Sequence, residues 1–215
     1  MTKKLEIIEF QRLTNVSRET LQRLTLYADL LRHWTRRINL ISASTVDALW
    51  QRHFLDSAQV FDIAPPQART WLDLGSGGGF PGLVIAVMAA ECRPDLRITL
   101  VESDQRKAAF LRRVARETGV GAAVFAERAE ALPPQRADVV SARALAPLDK
   151  LLGFAERHLS PGGTALFPKG ARAAGEIKTA RKSWQFALDL CPSLTDDKAA
   201  ILKITELSRV SPRSP

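Results

Sequence analysis

Strand-type and helix-type segments alternate from residue 70 to the end of this chain, and the alternation predicts an α/β fold, a Rossmann-like doubly wound parallel sheet. The run DLGSGGGFPG at residues 73–82 adds a glycine-rich turn between the first such strand and the helix after it, where open α/β sheets bind ligands. Before this region, apolar residues recur at spacings of three and four, which predicts an N-terminal helical extension. The two prolines of DIAPPQAR break the helical pattern, so the extension is assigned to residues 1–64 and the main domain to residues 65–215.

In the extension, Ser17 can cap a helix carrying Leu21, Leu24, Tyr27, Leu31 and Trp34. An INLIS segment follows, and Ser44 with Asp47 offers a capping box for a second helix with Val46, Leu49, Trp50, Phe54 and Phe61. Beyond the prolines, TWLDL reads as a strand, PGLVIAVMAAE as a helix, ITLVES as a strand and DQRKAAFLRRVARETG as a helix. AAVFAE and ADVVSA read as the next strands. LDKLLGFAERHL is a helix, SPGG a turn and TALFPKG a strand, followed by a basic helix around EIKTARKSW and a last strand, AAILKIT.

With 215 residues, 46% of them hydrophobic, the chain can fill one core. It contains no apolar run near the roughly 20 residues of a membrane helix. Glu6 and Glu9 interrupt the segment where a secretory signal would be apolar, so a soluble cytoplasmic protein is expected, without a membrane partner. Cys92 and Cys191 form no C-x-x-C pair and have no neighbouring His, so neither a disulfide framework nor a metal is expected. A formal charge of +8 favours an anionic partner such as nucleic acid.

Two glycine frames compete. Gly77-x-Gly79-x-x-Gly82 satisfies the dinucleotide fingerprint of nicotinamide enzymes, but the strand ends at Leu74, so the residue that must turn the chain is Gly75. On that frame Gly82 falls inside the helix that Pro81 can start. Asp73, one residue before the turn, would welcome a cationic or amine-bearing ligand and repel a pyrophosphate. Glu102, at the end of the second strand, can accept from both hydroxyls of a ribose. No G-K-[ST] follows, which excludes a P-loop. Gly75, Gly77 and Glu102 therefore point to S-adenosylmethionine, with a nicotinamide-dependent oxidoreductase as the alternative and a non-catalytic RNA-binding module as a third reading.

Arg128, Ala129 and Glu130 follow the third strand, where a base edge could be read or an Arg to Glu ion pair formed. Arg143 and Lys169 sit just past buried runs at the ends of later strands, where each could hold an anion. His53, Asp56 and Ser57 invite a triad reading, but one helix face cannot set a nucleophile, base and orienting carboxylate around a scissile bond. A His53 to Asp56 interaction that docks the extension is expected instead. The basic residues Arg106, Lys107, Arg112, Arg113 and Arg116 form one face of a helix, a solvated face or part of a phosphate-tracking patch.

Together these segments resemble the bacterial small-subunit ribosomal RNA guanine-N7 methyltransferases, also called glucose-inhibited division protein B. The matching stretches are NLI at 39–41, RHFLDS at 52–57, DLGSGGGFPG, VES with the KAAFL helix, RAE at 128–130, SARALAPL around Arg143 and PKG at Lys169. Ile41 and Gly78 depart from the family's usual Thr and Ala. The resemblance implies a class I S-adenosylmethionine-dependent methyltransferase acting on 16S RNA, at the 530-loop guanine of position 527. It implies cofactor contacts at Gly75, Phe80, Ala129, Glu130 and Arg143, with ribosomal RNA or the small ribosomal subunit as partner. Arg52, His53 and Lys169 are the candidate RNA contacts, and a monomer is expected. The in-plane lone pair of guanine N7 is already nucleophilic, which accounts for the absence of an N-P-P-Y motif or a strand-end cysteine; catalysis would rest on alignment.

Overall fold

The computed structural model describes residues 3–210, with side chains from Glu6 onward. Seven strands form one sheet in the order β3-β2-β1-β4-β5-β7-β6. β1 (Thr70–Leu74), β2 (Arg97–Val101), β3 (Ala122–Phe125), β4 (Ala137–Ala142) and β5 (Leu159–Lys169) run parallel; β6 (Trp184–Pro192) and β7 (Ala200–Arg209) add antiparallel pairings. From β1 the chain steps out to β2 and β3, then returns to β4 on the opposite side. Strand order therefore reverses between β1 and β4, the place where such sheets open a crevice.

Alternation along each strand splits the core in two. Trp71, Leu100, Val139 and Leu166 face a cluster built with α2 (Arg18–Thr35), α3 (Asp56–Asp62), α4 (Gly82–Cys92) and α5 (Gln105–Thr118). Leu72, Val101, Val140 and Phe167 face α6 (Leu148–His158) and α7 (Ala173–Ala180). α4 is buried at every position from Gly82 to Ala89. A helix apolar all round needs cover on all sides, and Leu24, Tyr27, Leu31, Ala58 and Phe61 of the extension supply it opposite the sheet.

Ser17 caps α2 as its sequence position predicts, accepting from the Thr20 amide at 3.1 Å. Its hydroxyl also donates to Glu91 Oε2, as does that of Thr20 at 2.6 Å, which pins the start of α2 to the end of α4. α5 begins at Asp104, whose Oδ1 accepts from the Arg106 and Lys107 amides, and stops at Gly119, where φ is +68°.

Four details differ from the sequence reading. α1 (Lys3–Thr14) is an additional helix, held by the Phe10 ring edge-on to Trp50 at 5.2 Å. The Ser44 to Asp47 capping box does not form. Ala43–Thr45 is an isolated 3₁₀ turn, Ser44 meets the hydroxyl of Ser42, and the chain re-enters helix at Trp50 as a π-helical segment, Trp50–Leu55, that runs into α3. SPGG is part of β5 rather than a turn, and the pairing with β4 slips there, between Ala137 and Val139. Finally, the basic helix ends at Ala180 and Trp184 opens β6, an edge strand the sequence reading did not anticipate.

Gly82 and Gly175 make opposite predictions. A Cβ on Gly82 would lie 2.5 Å from Asp73 Cβ and 2.5 Å from Leu100 Cδ2, whereas one on the exposed Gly175 of α7 meets nothing within 4 Å. Gly82→Ala should lower stability by about 1–3 kcal/mol through overpacking. Gly175→Ala should raise it by roughly 0.5–1 kcal/mol through helix propensity. Urea unfolding of the two variants checks both signs.

Candidate active site

The loop after β1 is shaped by three glycines in the left-handed region, Gly75 at φ +64°, Gly77 at +55° and Gly79 at +97°. Gly75 turns the chain directly off the strand, as its position predicts. Pro81 occupies the cap position and Gly82 is the first residue of α4, so the last glycine of the competing frame serves close packing of helix on strand. Ser76 donates its amide to Val101 O at 3.0 Å, and Gly77 donates to Glu102 Oε2 at 2.9 Å. Glu102 Oε1 accepts from the Asp104 amide at 2.8 Å, so one carboxylate ties the loop to the start of α5. Each oxygen of this buried side chain thus accepts one backbone amide.

Asp73 does not line the cleft as its place before the turn suggested. It is fully buried beneath α4, because residues 71 and 73 of β1 point to the same face. Trp71 Nε1 donates to Ser141 Oγ at 2.8 Å, and Ser141 Oγ donates to Asp73 Oδ1 at 2.7 Å, while Oδ2 has no hydrogen-bond partner. Burial raises the Asp73 pKa to about 6, against the lowering effect of the Ser141 hydroxyl.

The Phe80 ring is buried in a cage of side chains from three elements. Tyr27 of α2 stacks on it with centroids 5.6 Å apart and planes at 18°, and its hydroxyl donates to Gly78 O. Phe54 meets it edge-on at 5.6 Å, His53 lies 4.9 Å away, and the Arg143 guanidinium sits 5.0 Å above it. Arg143 Nη1 donates to Arg52 O and to Asp56 Oδ2, both at 3.2 Å, and Nη2 donates to His53 Nδ1 at 2.8 Å. The expected direct His53 to Asp56 interaction is thus replaced by one in which Arg143 bridges both. An arginine only donates, so His53 Nδ1 accepts and the Nε2 proton goes to Thr45 Oγ1 at 2.8 Å. Burial and the cationic Arg143 push the His53 pKa down to about 3, and the ring stays neutral. Ser57 is buried and donates to His53 O, so no triad exists.

Around this cage opens a cleft of about 1070 Å³ at the β1–β4 reversal. Gly75, Gly77, Phe80, Arg52, His53, Arg143 and Lys169 all line it, joined by Lys107, Leu145 and Arg172. Lys169 donates to Ala146 O at 2.8 Å and pairs with Glu176 at 2.7 Å; Arg52 lies 3.6 Å from Asp196. Glu102, Ala129 and Glu130 lie off the cleft wall, Glu102 buried after β2 and the other two in the loop after β3. Ala129 O accepts from His158 Nε2 at 3.0 Å, and Glu130 pairs with Lys150 at 3.1 Å rather than with Arg128. Sequence reasoning had not singled out Leu145, Asp196 or Glu176; the first lay inside SARALAPL, and the acids carried no local signal.

A parallel sheet reversing between β1 and β4, closed by two antiparallel pairings and bearing its glycine loop at the reversal, defines a Rossmann-like fold of the class I methyltransferase type. Solved structures share it: a cofactor-bound protein of MTB (TM-score 0.60, 16% identity, 86% of this chain and 89% of that one) and M. jannaschii TYW2 in complex with AdoMet (TM-score 0.56, 10% identity, 82% and 80%). The family model for rRNA small subunit methyltransferase G matches residues 20–197. The ribosomal RNA small subunit methyltransferase G of Ruegeria sp. (strain TM1040) is 56% identical over 196 residues, 91% of this chain and 95% of that protein. This chain belongs to the rRNA small subunit methyltransferase G family.

Asp73 gives the site a measurable pH signature. Its folded pKa lies above the ordinary 3.8, so the folded state is disfavoured as pH rises through about 6. Relative to the parent, Asp73→Asn should gain about 3 kcal/mol of stability between roughly pH 3 and pH 7.5. Urea midpoints of both proteins across that range check this, and parallel curves would mean that another group carries the titration.

Proposed function

We propose that this protein is a S-adenosylmethionine-dependent methyltransferase that modifies N7 of a guanine in small-subunit ribosomal RNA, the 530-loop guanine of position 527. It acts as a cytoplasmic monomer and without a metal. Family membership supports the RNA substrate, and the observation that carries the chemistry is the cleft itself. Gly75 meets it with no side chain, Glu102, off the wall but bonded to the Gly77 amide, keeps acceptor lone pairs, and no lysine in the loop awaits a pyrophosphate. Gly75, Gly77 and Glu102 would hold the cofactor, which supplies an electrophilic methyl group on sulfur.

The N7 lone pair forms the new bond while the carbon–sulfur pair remains on sulfur, and the purine takes up the positive charge. No proton leaves N7, so no base is required. His53, the histidine on this cleft, fits that requirement: Arg143 occupies its lone pair, Thr45 takes its proton, and its pKa is near 3. Arg143 and Phe80 instead hold the cleft wall rigid, and catalysis comes from alignment in a preorganised site. The guanine reaches the cleft unstacked from its RNA neighbours.

Labelled methyl from S-adenosylmethionine should enter undermethylated small subunits or their RNA, and reduction followed by aniline should cleave the product at the modified guanine. An intact product strand would exclude N7. Gly75→Trp, placed at φ +64° where a Cβ would come within 2.6 Å of Leu145, should lower the rate by on the order of 100-fold. Calorimetric binding of a nicotinamide cofactor in place of S-adenosylmethionine would favour the oxidoreductase reading.

A further inference from the structure

Leu145 is 39% exposed and is the exposed large apolar side chain on the cleft wall among the described residues. Its surroundings hold it there. Ala144, just before it, has φ +54°, a left-handed conformation that is unfavourable for a residue with a Cβ. Upstream, Arg143 is anchored to Asp56, His53 and the Arg52 carbonyl. Downstream, the Ala146 carbonyl accepts from Lys169, and the Leu148 amide donates to Glu176 Oε2 at 2.8 Å, the same oxygen that Lys169 approaches. Both sides of the loop are thus braced, and the residue between them presents hydrocarbon to an open cleft. Strain that keeps an apolar group unburied marks a surface completed by a ligand.

Sheet order indicates which ligand. β2 and Glu102 lie on one side of the β1 loop and β4 with Leu145 on the other, and Leu145 Cδ1 rests against Gly75. A cofactor with its ribose toward Glu102 therefore has Leu145 on the flank where the methyl acceptor must enter. Building on the proposed activity, we propose that Leu145 is a substrate-positioning residue on which the face of the extruded guanine rests. Its methyl groups contact the purine face, exclude water and hold the ring plane so that N7 points along the carbon–sulfur axis.

The test uses the full-length protein with undermethylated small subunits and with naked small-subunit RNA. Leu145→Ala should lower the single-turnover rate at saturating S-adenosylmethionine by roughly tenfold and raise the KM for RNA. S-adenosylmethionine affinity by calorimetry and the urea midpoint should stay near the parent values, and Leu145→Met should restore most of the rate. Weakened cofactor binding, with activity regained at saturation, would overturn the proposal and make Leu145 a cover for the cofactor. Unchanged rates and affinities would overturn it equally. A parent protein that binds S-adenosylmethionine but transfers nothing to RNA would overturn the assigned activity, and this role with it.

Discussion

The enclosure of Phe80 is the constraint on which the rest of the site depends. A loop with three left-handed glycines within five residues has almost no side chains with which to stabilise itself. Its shape is imposed from outside. Tyr27 reaches from α2 to stack on Phe80 and hold the Gly78 carbonyl, Phe54 and His53 close in from the π-helical segment, and Arg143 covers the ring from the end of β4. Each contact alone is worth on the order of 1 kcal/mol. Together they make the conformation of the glycine loop a property of the whole chain, extension included, since Tyr27, His53 and Phe54 all precede the prolines at 65 and 66.

Charge at the cleft is more committed than the net +8 suggests. Arg143 pairs with Asp56, Lys169 with Glu176, and Arg52 lies beside Asp196, so three of the basic residues on the wall already have acidic partners. Arg143 and Lys169 are mostly buried, where a paired ion is held firmly in one geometry, and both act on their own backbone neighbours as well as on their partners. Lys107 and Arg172 also line the cleft, and neither appears in an ion pair among the described residues. The cations of the wall thus divide into those held by acidic partners and, among the described residues, two in no ion pair.

Most of the sheet was legible from period and punctuation. TWLDL, ITLVES and ADVVSA fall on β1, β2 and β4 because buried parallel strands are short apolar runs bounded by turn residues. The misses have physical causes. β6 alternates Trp184, Phe186, Leu188 and Leu190 with Gln185, Ala187 and Asp189, a period-two signal masked by the basic helical run EIKTARKSW that leads into it, and the Ser44 cap lost to a 3₁₀ turn followed by a π-helical segment. At the site, the turn at Gly75 was readable from where the strand ends. The role of Asp73 was misjudged although strand parity places it on the face of Trp71, beneath Gly82 at the start of α4 and off the cleft wall. Arg143 was found by its place after a buried run, but its partners come from residues 52–56, about 90 positions earlier, and no local pattern reports that.

α4 carries a consequence for biosynthesis. Its first eight residues are buried between the sheet and helices made earlier in the chain. A ribosome delivers those helices first, and before α4 exists Leu24, Tyr27, Leu31 and Phe61 have only one another and neighbours such as Phe54 to cover. Their partner helix emerges only after residue 82, and the strands on its other side are completed by β4, past residue 137, and by β5 beyond it. For much of its synthesis the chain therefore lacks one half of an apolar interface, the condition under which incompletely folded chains are prone to aggregate.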